Sequence, residues 1–381
     1  MMAHPWNSKR SSSKSLPKPI SFVLLPPVNF DDLPEDSMIE TRLELTLTPS
    51  LPTLRESLKS IMAESTRLVA LVVDVFGPST LDVARELGIL PCIFFPTTAM
   101  VLSFFFYLPK LHAIISSEYR HLLEPIQRCD LFNPLHNRKT ETYKSFVHMA
   151  DRYKLASGIM VNSFTDLEPR DFKALKEEKK IHNYPPVYPW WDPELAFGLE
   201  TSGQRFIWVV KSPNEKPSVA AFFSLKSAKN PFDYFAHRLL GKDQRCRPSG
   251  GVLGTPPRIQ VLSHGSTGGF LSHCGWNSTL ESVINGVPLI AWPLYAEQRM
   301  NAVFLADDLK VALRVKPDEK GIVGRDQIAK YTRELKEGEE GKLLRNRMKE
   351  LKEAAKLALN DEGSSTKSLA EVAQIWKSNK N

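Results

Sequence analysis

Residues 260–301 read QVLSHGSTGGFLSHCGWNSTLESVINGVPLIAWPLYAEQRMN, and the pattern of this stretch decides the fold. Residues 268–273 form a short run suited to a buried strand, and 274–277 a tight turn off its carboxyl end. A helix is predicted to follow at once. Ser278 and Glu281 have capping-box spacing, and Leu280, Val283 and Ile284 supply an apolar face. Gly286 suits a left-handed cap, and Pro288 prevents continuation. A strand over 287–292 and a further helix from about Ala296 complete a strand–turn–helix–strand unit.

In open α/β sheets ligands sit beyond the carboxyl ends of the strands. The start of the helix offers unpaired N–H groups and the positive end of its dipole, both suited to phosphate. Asn277 and Ser278 stand beside those groups as further donors, and His273 lies at the strand tip. Taken singly, each residue has a plainer reading: His273 as a satisfied core histidine, Glu281 as the capping partner, Trp276 and Trp292 as core aromatics. The joint spacing is the specific signal.

That spaced set resembles the signature box of plant UDP-dependent glycosyltransferases (glycosyltransferase family 1), which move a sugar from a UDP-sugar to small acceptors. The resemblance implies an α/β fold of the GT-B arrangement, two Rossmann-like doubly wound domains facing a cleft. It implies that His273 contacts the diphosphate and that Asn277 and Ser278 hold phosphate, with Gly275 and Trp276 in the same donor-binding turn. Glu281 would take the ribose hydroxyls, and Glu297 and Gln298 the sugar hydroxyls. A final Gln points to UDP-glucose as donor, and no metal is implied.

The box departs from the family at its start. Where the family has Trp-Ala-Pro-Gln, with the Trp stacked on uracil, this chain has Thr255-Pro256-Pro257-Arg258. By analogy with base stacking elsewhere, loss of that platform weakens donor binding by about tenfold or more.

A chain of 381 residues is long enough for two domains, each with its own core. Cys92, Cys129, Cys246 and Cys274 show no CxxC spacing, which fits a reducing, cytoplasmic setting. The net charge is +7, but the basic residues are dispersed among acids, as solvated helix faces require, so nucleic acid is not expected as a partner. A monomer acting on a small molecule is expected. Residues 1–18 lack the apolar core of a secretory signal and read as a disordered N-terminus, with an organelle transit peptide as the alternative. Residues 90–108 are apolar, but Pro91, Pro96, Thr97, Thr98 and Ser103 interrupt them, so a strand passing into a helix near Thr98 is predicted rather than a membrane span.

Taken in order, residues 21–25 and 42–48 read as strands, 57–67 as a helix, and 68–73 as a central parallel strand ending in Asp74. A helix over 79–87 stopped by Gly88 and a strand over 91–95 continue the βαβ alternation. Asp74 thus falls at a strand's carboxyl end. Its plain reading is a cap on the following turn. The resemblance implies more, an Asp that orients the His acting as general base on the acceptor hydroxyl, with inversion at the anomeric carbon. A carboxylate on one ring nitrogen fixes the other as proton acceptor. In the family that His follows the first strand. Residues from about 19 onward resemble the second strand, and His4, ahead of Pro5, is not assigned as the base.

Residues 143–169 resemble the family again, as a helix, a strand near 158–162 and a helix entered at Pro169. An extended linker follows at 185–189. The helix at 194–200 joins it without the family's intervening strand and phosphate turn, 204–210 reads as a strand, and the loop 211–232 resembles phenol-directed members of the hydroquinone glucosyltransferase type. Residues 233–254 resemble nothing at that position. Helices at 326–335 and 342–359 follow, and Leu369, Val372, Ala373 and Trp376 stripe a last one. The expected division is 1–18 disordered, 19–189 acceptor-binding, 190–362 UDP-sugar-binding, and 363–381 a helix packing back on the first domain. The expected activity is inverting O-glucosylation of a small phenolic acceptor, impaired in this form. The alternative is a non-catalytic remnant that at most binds UDP or a protein partner.

Overall fold

The continuous apolar runs pair as parallel strands, in two separate three-stranded sheets. The computed structural model describes residues 23–26, 28, 39–64, 67–114, 135, 137–177, 193–207, 258–318 and 322–379. The expectations for 1–18, the linker 185–189, the loop 211–232, the segment 233–254 and Thr255 to Pro257 fall outside these residues, as does His4. The chain forms two compact units, Met1–Thr66 with Ile207–Val252, and Arg67–Phe206 with Leu253–Asn381.

In the first unit the strand expected over 42–48 is instead part of α1 (Ile39–Ala63). The leucines at 47, 51, 54 and 58 recur at helical spacing, and Leu58 is buried. That stripe outweighs the local alternation that suggested a strand. Pro49 and Pro52 lie on the exposed side of α1. Residues 23–25, read as strand, are exposed and unpaired, and 204–207 are likewise not in a strand.

The first sheet of the larger unit has the order β1 (Ala70–Val73), β2 (Leu90–Phe95), β3 (Gly158–Val161), with Val72 opposite Cys92 and Phe94 opposite Met160. The connections are α2 (Leu81–Glu86), ended by Gly88 at φ +70°, then α3 (Ala99–Ile114) and α4 (Glu141–Arg152). Thr140 caps α4 through its hydroxyl, which accepts from the Tyr143 amide at 3.2 Å. The apolar run 90–108 therefore resolves into buried β2 and buried α3. Phe95, Phe104, Phe105, Phe146 and Tyr153 fill the space between them and α4, with Phe105 stacked on Tyr153 at 5.7 Å.

After β3, residues 163–168 turn into α5 (Pro169–Glu177), and this turn buries a carboxylate. Glu168 is 1% exposed and accepts from the Ala99 and Met100 amides at 3.0 and 3.1 Å. It thereby satisfies two of the unpaired N–H groups at the start of α3. Burial pushes its pKa up to about 7.

The second sheet has the order β4 (Phe270–Ser272), β5 (Leu289–Ala291), β6 (Ala312–Arg314). Around it lie α6 (Pro193–Thr201), α7 (Arg258–Ser263), α8 (Trp276–Asn285), α9 (Gln298–Val303), α10 (Arg325–Glu337) and α11 (Glu339–Leu359). Gly198 lets α6 approach α10 closely, since a Cβ there would lie 2.5 Å from the Ile328 Cβ. Arg325 fastens the same contact by pairing with Glu194 and lying over the Phe197 ring. The stripe Leu344, Met348, Leu351 and Ala355 on α11 is buried as its spacing predicts.

The last helix, α12 (Ser364–Ser378), starts at Ser364 directly after its cap Gly363, and none of its residues is buried. Of its predicted stripe, Leu369 and Ala373 face out, while Trp376 reaches the Cys92 thiol on β2. Among the described residues no helix is long and apolar enough to cross a membrane.

Candidate functional site

The candidate residues gather where β4 gives way to α8. The turn is sharp: Cys274 takes φ +65°, a conformation that costs a non-glycine residue on the order of 1 kcal/mol or more. Asn301, on α9, holds the turn by donating from Nδ2 to the Cys274 carbonyl at 3.0 Å. Gly275 is required for a different reason than positive φ. A Cβ at that position would stand 2.4 Å from the His273 Nε2, so the glycine makes room for the imidazole.

Helix α8 begins at Trp276, three residues earlier than the capping box predicts, with Gly275 as N-cap and no side-chain cap. The Ser278–Glu281 box is therefore not formed. Both side chains are taken by Arg258, the first residue of α7. Its Nη1 donates to the Ser278 hydroxyl at 2.8 Å and its Nη2 to the Glu281 Oε1 at 2.8 Å, while its Nε pairs with Oε2. A guanidinium fork on a half-buried carboxylate outcompetes a local backbone contact, because charge-assisted bidentate bonds are roughly twice as strong as neutral ones. The first intrahelical bond runs from Thr279 N to Gly275 O, which leaves the amides of Trp276, Asn277 and Ser278 without intrahelical acceptors.

His273 is half-buried and, among the described residues, makes no hydrogen bond. Burial and the charge of Arg258 hold its pKa below the ordinary value, so the ring is neutral at neutral pH. The Trp276 ring is buried against Phe304 and donates from Nε1 to the Asn162 carbonyl at 2.7 Å. Asn162 also donates from Nδ2 to the Asn277 Oδ1 at 3.1 Å. The end of β3 is thereby bonded to the first turn of α8. Neither Asn162 nor Asn301 is singled out by periodicity or capping, since each acts through a partner distant in the chain.

A second turn follows β5. Ala296 takes φ +52°, Glu297 comes next, and Gln298 opens α9. The Gln298 Oε1 accepts from the Leu294 and Tyr295 amides at 3.0 and 3.1 Å, so this side chain fastens the turn. Thr97, just beyond β2, donates to the Glu297 Oε1 at 3.5 Å, and burial raises the pKa of Glu297. The strained turns at Cys274 and Ala296 thus stand at the carboxyl ends of β4 and β5, where open α/β sheets bind their ligands.

Asp74 lies at the end of β1 and is exposed. Its Oδ1 accepts from the Phe76 amide at 2.9 Å, the turn-capping role that its position allows. Among the described residues no imidazole hydrogen-bonds its carboxylate; His112 is engaged with Tyr143 and Arg138, and His264 with its own turn.

Two parallel sheets with connecting helices, and clustered polar groups at the strand ends, define a doubly wound α/β protein of the nucleotide-binding type. The match with known proteins is specific. Residues 193–315 match the family described as UDP-glucoronosyl and UDP-glucosyl transferase. The hydroquinone glucosyltransferase of Rauvolfia serpentina is 48% identical over 97% of this chain and 88% of its own. A UDP-glucosyltransferase of Polygonum tinctorium capable of glucosylating indoxyl, solved with 3,4-dichloroaniline, superposes with a TM-score of 0.85 at 42% identity, over 99% of this chain and 90% of that one. The UGT2 of Phytolacca americana complexed with UDP-2fluoro-glucose and pterostilbene superposes with a TM-score of 0.82 at 39% identity, over 98% and 91%. The chain belongs to the plant UDP-glycosyltransferase family, glycosyltransferase family 1, and has its GT-B fold.

Proposed function

We propose that the chain moves glucose from UDP-glucose to the hydroxyl of a small phenolic, with inversion at the anomeric carbon. The observation that carries this reading is the set at the start of α8: free first-turn amides, a neutral His273, Ser278 and Glu281, all between residues 273 and 281. The names of the relatives support it, since one is a hydroquinone glucosyltransferase and another was solved with UDP-2fluoro-glucose.

In this reading the diphosphate lies over the amides of residues 276–278, with His273, Asn277 and Ser278 as side-chain donors, and Glu281 takes the ribose hydroxyls. Glu297 and Gln298 receive the sugar hydroxyls. The acceptor oxygen attacks the anomeric carbon opposite the phosphate, the sugar–phosphate bond breaks, and UDP leaves with the electron pair while the phenolic proton passes to a base. Residues 19–189 form the acceptor side, 190–362 the donor side, and 363–381 return to the first. We assign the protein to the cytoplasm as a monomer, which suits the free, buried thiols of Cys92 and Cys274.

Asp74 is the candidate partner for a general base, but no described imidazole pairs with it. A positioned base contributes about 10²–10⁴ in rate, so turnover without one is slow. A phenol, whose pKa of about 10 is that of a tyrosine side chain, needs such a base less than an alkyl alcohol does. The same observation favours a second reading, a protein that binds UDP without turnover.

The test is UDP-glucose turnover by the purified chain on phenols of graded acidity. Slow glucoside formation is expected, faster for the more acidic phenols and lowered at least tenfold by Gln298→Ala, while a further loss in Asp74→Ala marks Asp74 as the partner of a general base. No product from folded protein that binds UDP supports the second reading.

A further inference from the structure

Among the described residues, Arg258 is a cation lodged between the proposed donor-binding groups of α8. Its guanidinium reaches Ser278 at 2.8 Å and forks onto Glu281, and its charge also depresses the His273 pKa, which puts it beside three of those groups at once. The pairing is not a structural anchor sunk in the core. Arg258 is 46% exposed and sits at the first position of a six-residue helix, so the side chain has room to change partners.

The chemistry of the clasp is unusual for a site meant for a nucleotide. Glu281 is the only carboxylate on α8, and a ribose that hydrogen-bonds to it must first displace the fork. A displaced guanidinium left in solvent would make nucleotide binding weaker. Here, however, the displaced group stands next to the Ser278 hydroxyl and the free amides of the first turn, where a diphosphate brings two or more negative charges. Arginine matches phosphate oxygens with the same bidentate fork that it uses on a carboxylate.

We propose that Arg258 is a diphosphate ligand that rests on Glu281 when the site is empty and passes to the phosphates as the ribose takes Glu281. This rests on the donor site proposed above. It makes two opposed statements about nucleotide binding. Arg258 competes with the ribose for Glu281, so its removal favours a nucleoside without phosphates. It also binds the diphosphate, so its removal disfavours UDP. The quantity that isolates the exchange is the preference for UDP over uridine.

The experiment is calorimetric titration of the full chain with UDP and with uridine, for the wild type, Arg258→Ala and Arg258→Lys, each checked for unchanged circular dichroism. The wild type is expected to prefer UDP, and Arg258→Ala to lower the UDP-to-uridine preference by about tenfold or more, the effect of losing a charge-assisted hydrogen bond. Arg258→Lys, a cation without the fork, should restore part of it. If Arg258→Ala strengthens UDP and uridine binding equally, the arginine is only an obstruction and the proposal is overturned. If the variant's preference equals that of the wild type, Arg258 does not touch the phosphates, and this proposal fails while the donor site stands. If the wild type binds neither UDP nor uridine, the donor site itself fails and the exchange with it.

Discussion

Replacing Glu168 by alanine is expected to destabilise the protein by about 2–5 kcal/mol, read as a shift of the urea midpoint at constant slope. The side chain is 1% exposed, and its two oxygens are the acceptors for the Ala99 and Met100 amides. Alanine leaves both amides unpaired inside the molecule, at the start of the helix whose Phe104, Phe105 and Leu108 fill the first core. A pH dependence accompanies it. Because burial raises the Glu168 pKa from 4.5 to about 7, the folded state holds the proton more tightly than the unfolded chain. The stabilising contribution is complete below pH 4.5 and is lost as pH rises through about 7, a change of roughly 3 kcal/mol. That component of the wild-type pH profile should vanish in Glu168→Gln, which cannot ionise. A Glu168→Ala midpoint within the error of wild type would mean that α3 needs no carboxylate at its start.

Replacing His273 by alanine is expected to lower kcat/KM for UDP-glucose by about 10²-fold, the usual loss when one donor to a developing oxyanion is removed. The ring stands at the tip of β4, in space that Gly275 leaves open, and is neutral. In the proposed reaction, charge accumulates on the leaving UDP as the sugar–phosphate bond breaks, and a ring N–H donating to it strengthens as it does. Since the ring makes no described hydrogen bond, the variant should keep its fold, so the loss can be assigned to chemistry. Steady-state rates at saturating phenol give the number, and a change below threefold would remove His273 from the donor site.

Residues 268–301 were legible because their signals are local, whereas the helix α7 that covers 260–263 was not foreseen. Strand, turn, helix and left-handed cap follow from neighbours, and Gly286 does adopt φ +74° after α8. The parallel strands β1 and β2 were equally readable as apolar runs bounded by turns. Sequence reasoning failed where a distant partner decided the outcome. The capping box of Ser278 and Glu281 is correct in spacing, but Arg258, twenty residues before Ser278, claims both groups. Residues 42–48 alternate as a strand does, yet the leucine stripe continuing to Leu58 commits them to α1. Ile284, counted on the buried face of α8, is 49% exposed while Val283 beside it is buried, because the helix buries a narrower stripe than its composition allows. The roles of Asn162 and Asn301 were invisible for the same reason as Arg258's: the Asn162 carbonyl accepts from the Trp276 indole and the Asn301 side chain donates to the Cys274 carbonyl, each partner more than twenty-five residues away.

The proposed function stands on a nucleotide diphosphate lying on the first turn of α8. Asn277→Asp tests this with little ambiguity from folding. A carboxylate in the first turn favours the helix, and it keeps an oxygen for the Asn162 amide, but it repels phosphate. The measurement is UDP affinity by calorimetry alongside the thermal midpoint, for wild type and Asn277→Asp. An unchanged or slightly higher midpoint is expected together with UDP binding at least about tenfold weaker, the scale of one misplaced unit charge at close range in a partly exposed site. UDP binding of wild-type strength by Asn277→Asp would contradict it.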